Sequence, residues 1–259
     1  MQERGDQWWS VRIKQAIEEK RLRLYGQTIF PTVEAADTNN NACEILLRMT
    51  DEQNQVIPAG EFIPAAERYN LISQIDRWVI HAFLKNFDAD RQTSKHQSAQ
   101  PTQYMINLSG ASVGDEQFLE FLKTQLEQHP KAAQCICFGI TETAAISSWS
   151  QAVRFIQELR ALGCQFALDD FGSGMSSFAY LKTLPVDYLK IDGRFIEGMT
   201  EDPTKFAIVE SINHIGHVMG MQTIAECVSS ITTREKLQDI GVDYVQGFEI
   251  SQPFALQWS

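Results

Sequence analysis

The period of the apolar residues switches repeatedly along this chain. Short runs rich in β-branched and aromatic residues alternate with longer amphipathic stretches. The short runs predict strands over Leu22–Ile29, Ala42–Met49, Gln103–Ser109, Cys135–Thr141, Gln165–Asp170, Tyr188–Asp192, Gln222–Glu226 and Asp243–Gly247. The longer stretches predict helices over Glu61–Phe87, Glu116–Gln128, Trp149–Leu162, Ser176–Leu181, Pro203–Val218 and Thr232–Ile240, with one more covering the first residues up to about Lys20. Strand–helix alternation on this scale implies an α/β fold with a parallel sheet, and eight such strands imply closure into a (β/α)8, or TIM-type, barrel. Two segments break the rhythm. Asp37–Asn41 is a polar turn too short to hold a crossover helix, so the first two strands are expected to run antiparallel. Asp88–Pro101 has no apolar period and reads as a surface loop.

Composition narrows the function classes. The 259 residues, 44% hydrophobic, suffice for one large α/β domain or two small ones. The longest apolar runs are too short to span a bilayer, and the opening residues lack a signal-type apolar stretch. A net charge of −11 argues against a groove for polymeric DNA or RNA, which needs a basic face. An acidic chain that handles a phosphate ligand needs a local counter-charge, such as a metal ion or a few placed Arg and Lys. The five cysteines include no C-x-x-C pair and read as buried free thiols in a reducing cytoplasm. Trp8-Trp9 reads either as packing against outer helices or as an interface anchor. His214-Ile215-Gly216-His217 spells a synthetase tetrapeptide but lacks any partner motif.

The chemistry gathers at strand ends. Glu44 lies in the second predicted strand, Asn107 ends the third, and Asp169-Asp170 end the fifth. Lys190 and Asp192 end the sixth, Glu226 the seventh and Gln246 the eighth. Charged residues in strands are costly unless paired or metal-bound. In a barrel, these ends converge on one mouth. An oxygen-rich set of this kind favours Mg2+ or Mn2+ over zinc, and adjacent aspartates can serve two metals. Gly172 and Gly174 permit a tight loop beside them.

Glu44-Ile45-Leu46-Leu47-Arg48 resembles the signature that names the EAL-domain family, with Ile in place of Ala. Asp169-Asp170-Phe171-Gly172-Ser173-Gly174, Leu189-Lys190-Ile191-Asp192, Ile224-Ala225-Glu226 and Gln246-Gly247-Phe248 resemble its later motifs, in order. The resemblance implies a modified TIM barrel, its first strand antiparallel, that binds cyclic-di-GMP or hydrolyses it to pGpG with Mg2+ or Mn2+. It implies residues 21–259 as the domain, with residues 1–20 a linker helix from an upstream GGDEF or sensor domain, and a homodimer. By the same resemblance, Glu44, Asn107 and Asp169 hold a first metal, while Asp170 and Glu226 hold a second that Asp169 bridges. Lys190, Glu226 and Gln246 serve catalysis. Arg48, Leu46, Gln27 and Asp192 face the nucleotide, and Glu142 supports the loop that carries Gly172 and Gly174. The family pattern Glu-Ile-Thr-Glu reads Gly139-Ile140-Thr141-Glu142, so a metal-ligand glutamate is lost at Gly139. A second acid is lost at Ser229. The expectation is a cyclic-di-GMP-binding domain with hydrolysis absent or reduced and its first metal weakened. The alternatives are an active phosphodiesterase and a degenerate docking or dimerisation module.

Overall fold

A computed structural model describes residues 2–33, 41–93, 102–172 and 181–256. Its strands are β1 (Leu22–Pro31), β2 (Ala42–Thr50), β3 (Val56–Pro58), β4 (Gln103–Leu108), β5 (Ile136–Thr141), β6 (Gln165–Phe171), β7 (Tyr188–Ile191), β8 (Gln222–Ala225), β9 (Tyr244–Val245) and β10 (Phe254–Ala255). The order β1-β9-β8-β7-β6-β5-β4-β2 returns to β1 and closes an eight-stranded barrel. β1 is antiparallel to both neighbours, pairing Leu22 with Met49 through Ile29 with Ala42 on one edge and Phe30 with Val245 on the other. The remaining barrel pairs are parallel. This is the modified TIM barrel expected from the sequence.

The strand period places the site. Side chains alternate across a strand, so residues two apart share a face. Ile29, Ala42, Met105, Cys137, Ala167, Tyr188, Ile224 and Tyr244 form a buried cluster separate from the larger core that packs strands against helices. One step of two residues further along these strands come Glu44, Asn107, Gly139, Asp169, Lys190, Glu226 and Gln246. Gln27 lies two residues before Ile29 because β1 runs the other way. A buried, largely apolar layer therefore floors a polar one. The outer faces carry aromatic residues such as Phe138 and Phe166, whose rings lie 5.7 Å apart, and Tyr104, which meets Phe83 at 5.1 Å.

Several boundaries and one burial expectation differ from the sequence reading. The predicted helix Glu61–Phe87 is two, Ala59–Arg68 and Ile72–Thr93, broken where Asn70 takes a left-handed φ of 55°. The second helix runs on to Thr93, into the segment read as the loop Asp88–Pro101. The short strands β3 and β10 pair with the ends of β2 and β1 that β4 and β9 leave open. Cys227 is exposed and Cys135 half-buried, whereas Cys43, Cys137 and Cys164 are buried as expected, and no disulfide joins the five. The opening helix is present over Gln2–Glu18; Trp9 packs on Phe62, while Trp8 stays exposed beneath the Arg12 guanidinium. Gly174 and nearly all of the predicted helix Ser176–Leu181 lie outside the described residues. Among the described residues, no helix is long and apolar enough to cross a membrane.

Candidate metal and ligand site

Each strand end is fixed by the turn that follows it. After β4, Ser109 caps the short helix Gly110–Val113, and the buried Asp76 accepts from the Ser109 N–H at 3.1 Å, the Ser109 hydroxyl at 2.6 Å and the Ser112 hydroxyl at 2.7 Å. After β5, Thr141 caps Glu142–Ser147. After β7, Asp192 caps Gly193–Ile196. At the end of β6 the pairing with β7 slips between Leu168 and Phe171, and Asp170 takes a left-handed φ of 55°. That bulge exposes Asp170 while Asp169 stays buried in the polar layer. Gly172 follows with φ 93°, and a Cβ there would sit 2.7 Å from the Phe195 ring. Its N–H donates to Glu142 Oε2 at 3.1 Å.

At the centre stands Lys190, only 1% exposed. Its Nζ lies 2.5 Å from Glu226 Oε1, 3.1 Å from Asp169 Oδ2 and 3.4 Å from Glu44 Oε1. Burial opposes the ammonium charge, but Asp169, Glu226 and Glu44 together hold its pKa well above the usual lysine value. Glu44 also accepts from Asn107 Nδ2 at 2.7 Å and from Gln246 Nε2. Burial works against its charge too, yet Lys190 and these amides keep its pKa below the ordinary carboxylate value. Glu226 behaves oppositely. Burial pushes it up to about 8, with Asp169 and Glu44 adding to the rise and Lys190 opposing it. Burial, together with Asp169 and Asp192, also raises Asp170.

Oxygens of Asp169, Asp170 and Glu226 lie within 4.8 Å of one another. Gln246 Oε1 is buried and takes no hydrogen bond, while the amide's Nε2 donates to Gln27 Oε1 at 3.1 Å and to Glu44. A hard-oxygen donor set with an orphaned acceptor beside it fits a hydrated divalent cation of the Mg2+ or Mn2+ type. Such an ion neutralises phosphodiester oxygens and acidifies a bound water.

Gly139 sits in register with Asn107 and is buried. A Cβ built on it would collide with Asn107 Oδ1. The Asn107 amide thus leans into the lane that a side chain at 139 would use. Asp192 is turned to local work: Arg194 holds it through Nε at 3.0 Å and Nη2 at 2.7 Å. Arg48 lies half-buried on the rim with its guanidinium 5.6 Å from the Tyr25 ring centre, and it has no carboxylate partner among the described residues. Leu46 and Arg48 border a cavity of about 290 Å3 that also reaches Ile63, Glu67, Asp76 and Asn107.

The family model for the EAL domain matches residues 10–253. The chain belongs to the EAL-domain family. An EAL relative described as cyclic di-GMP phosphodiesterase PdeB, from Shewanella oneidensis, is 42% identical over 246 residues, 95% of this chain and 28% of its own length. Cyclic di-GMP phosphodiesterase PdeF from Escherichia coli is 36% identical over 93% of this chain and 31% of its own length. The chain therefore spans less than a third of these curated relatives. Among solved structures, the PaMucR phosphodiesterase in complex with c-di-GMP superposes with a TM-score of 0.85 at 28% identity, covering 96% of this chain and 98% of that one. The FimX EAL domain from Pseudomonas aeruginosa bound to c-di-GMP gives 0.84 at 28% identity, covering 97% and 98%.

Asp76, Ser109 and Ser112 were not singled out from the sequence. Their signal is a carboxylate on the apolar stripe Ile72, Ile75, Val79 and Phe83, where only a paired acid is tolerated.

Proposed function

We propose that this chain is a cyclic-di-GMP-binding EAL domain of bacterial second-messenger signalling in which hydrolysis to pGpG is absent or much reduced. The observation that carries this reading is Gly139: in a polar layer where neighbouring strands supply carboxylates and amides, β5 supplies no side chain. By the family pattern Glu44, Asn107 and Asp169 line the first cation position, which has one anion fewer and is weakened accordingly. Asp170 and Glu226, with Asp169 shared, serve the second. Lys190 orients the attacking water, and Gln246 offers its unpaired oxygen beside it. The Arg48 guanidinium, which donates Nη1 to the Leu47 carbonyl at 2.8 Å and meets no carboxylate among the described residues, suits a ligand phosphate. The apolar cavity beyond Leu46 suits a flat base, with Gln27 near the floor of the mouth. Asp192, committed to Arg194, contributes charge at the rim. None of these binding groups depends on a side chain at 139.

The names of the relatives and the two c-di-GMP complexes support the nucleotide. An active phosphodiesterase is the second reading, favoured by the 42% identity to a protein so described and by the four carboxylates still in the ring. As in the sequence expectation, we assign a cytoplasmic location, a homodimer, and a linker role for residues 1–20 below an upstream GGDEF or sensor domain.

Incubation with cyclic-di-GMP and Mg2+ or Mn2+, followed by separation of pGpG, tests the proposal. Turnover comparable to that of intact EAL phosphodiesterases overturns it. Calorimetry with cyclic-di-GMP and Ca2+ should show saturable binding. Its absence would leave only a docking or dimerisation role.

A further inference from the structure

We propose that the two halves of the metal ring are no longer equivalent, and that this chain binds one divalent cation, at Asp169, Asp170 and Glu226, with the Glu44–Asn107 half closed on itself. The inference rests on the reading of the site as an EAL cation centre and deepens it.

The closed half follows from three contacts. Glu44 Oε1 takes Asn107 Nδ2 at 2.7 Å and Lys190 Nζ at 3.4 Å, and Glu44 Oε2 takes Gln246 Nε2. Both carboxylate oxygens are thereby engaged by donors, and Asn107 presents its N–H, not its oxygen, to Glu44. Asn107 Oδ1 meanwhile lies over Gly139, in space that any Cβ would claim. A cation between Glu44 and Asn107 must break the amide–carboxylate bond and rotate Asn107 out of that lane. No anion at 139 repays the rearrangement.

The open half differs in each respect. Asp170 is exposed at the bulge, and neither of its oxygens accepts a hydrogen bond among the described residues. Glu226 gives Oε1 to Lys190 and leaves Oε2 without a partner among those residues. Asp169 gives Oδ2 to Lys190 and Oδ1 to the Asp170 N–H. The three groups already converge within 4.8 Å. An ion there gains two unengaged carboxylates and keeps the water ligands that a hard cation prefers.

The test counts Mn2+ on the full chain without nucleotide, by electron paramagnetic resonance titration and equilibrium dialysis. The expected result is one Mn2+ per chain with an uncoupled spectrum. Two Mn2+ per chain, or a spin-coupled pair, overturns the proposal, and so does no binding. Two isosteric variants locate the ion. Asp170→Asn should weaken Mn2+ by at least about tenfold, whereas Glu44→Gln should change it by less than about threefold. Loss in Glu44→Gln with retention in Asp170→Asn places the ion in the other half and refutes the assignment. Circular dichroism confirms the fold of each variant, and the wild-type count stands without them. Because no nucleotide is present, a failure here is separate from a failure to bind or to spare cyclic-di-GMP.

Discussion

Gly139→Glu puts back the carboxylate that the family pattern places on β5, and the structure predicts two opposed consequences. The new Cβ meets Asn107 Oδ1 at a distance no pair of atoms sustains, so Asn107 must rotate and release Glu44. A hydrogen bond to a charged group contributes about 1.5–3 kcal/mol, and the exposed amide recovers part of that from water. A fifth carboxylate in the mouth adds repulsion. The metal-free variant should therefore be less stable by about 1–3 kcal/mol, which is roughly 2–10 °C in Tm for a chain of this size. Divalent metal should reverse the order, since a ligand at a hundred times its Kd stabilises by about 2.7 kcal/mol per site. A second Mn2+ should then bind, and pGpG formation should rise at least about tenfold, equivalent to about 1.4 kcal/mol of transition-state stabilisation. Thermal melts with and without Mn2+ and a turnover assay read both effects. An unchanged or raised metal-free Tm refutes the filled-lane argument. A gain in metal binding without faster hydrolysis refutes the idea that this carboxylate limits turnover.

Three further outcomes are expected. Glu226 has a folded pKa near 8 against an ordinary value of 4.5, so the folded chain holds a proton across that window that the unfolded chain has lost. Metal-free stability should fall as pH rises from about 4.5 to about 8, while metal affinity rises by up to about tenfold per pH unit and binding near pH 7 releases about one proton; calorimetry in buffers of different ionisation enthalpy measures the release, and a buffer-independent heat contradicts it. Lys190→Met leaves buried carboxylates without their cation and should cost about 3–5 kcal/mol in metal-free urea unfolding, largely recovered by Mg2+ or Mn2+; equal loss with and without metal would assign Lys190 a packing role. Asp76→Ala strips the acceptor from Ser109 and Ser112 and should destabilise by about 2–3 kcal/mol while weakening cyclic-di-GMP binding through Asn107; wild-type affinity in the folded variant would separate Asp76 from the site.

Much of this molecule is legible in the chain because strand alternation is a local rule. The runs around Gln103–Leu108 and Gln165–Phe171 announce themselves by composition, and the polar residues near their ends are those the barrel gathers at one mouth. The antiparallel β1–β2 pair follows from the length of one turn. What escaped depends on partners distant in sequence. Nothing near Asn70 signals a left-handed break as strong as Gly or Pro would, so two helices read as one. β3 and β10 are too short to carry a period and exist only because β2 and β1 offer open edges. The pairing of Asp192 with Arg194 depends on the turn that follows β7, which the strand pattern does not specify. The lean of Asn107 over Gly139 requires the register between two strands, which no single segment encodes.

The buried floor of small and aromatic side chains under the polar layer also bears on how such barrels diverge. Packing is settled one tier below the chemistry, so the apolar layer keeps its own contacts when a residue of the upper tier changes. Two of the four glycine codons lie one base from a glutamate codon. On the proposed reading, a lineage exchanges cutting a messenger for sensing it, or the reverse, at one inward position, at the modest metal-free cost in stability worked out above. On that reading, overall likeness to an enzyme reflects ancestry in such barrels, while the occupant of one inward position on β5 separates cutting from sensing.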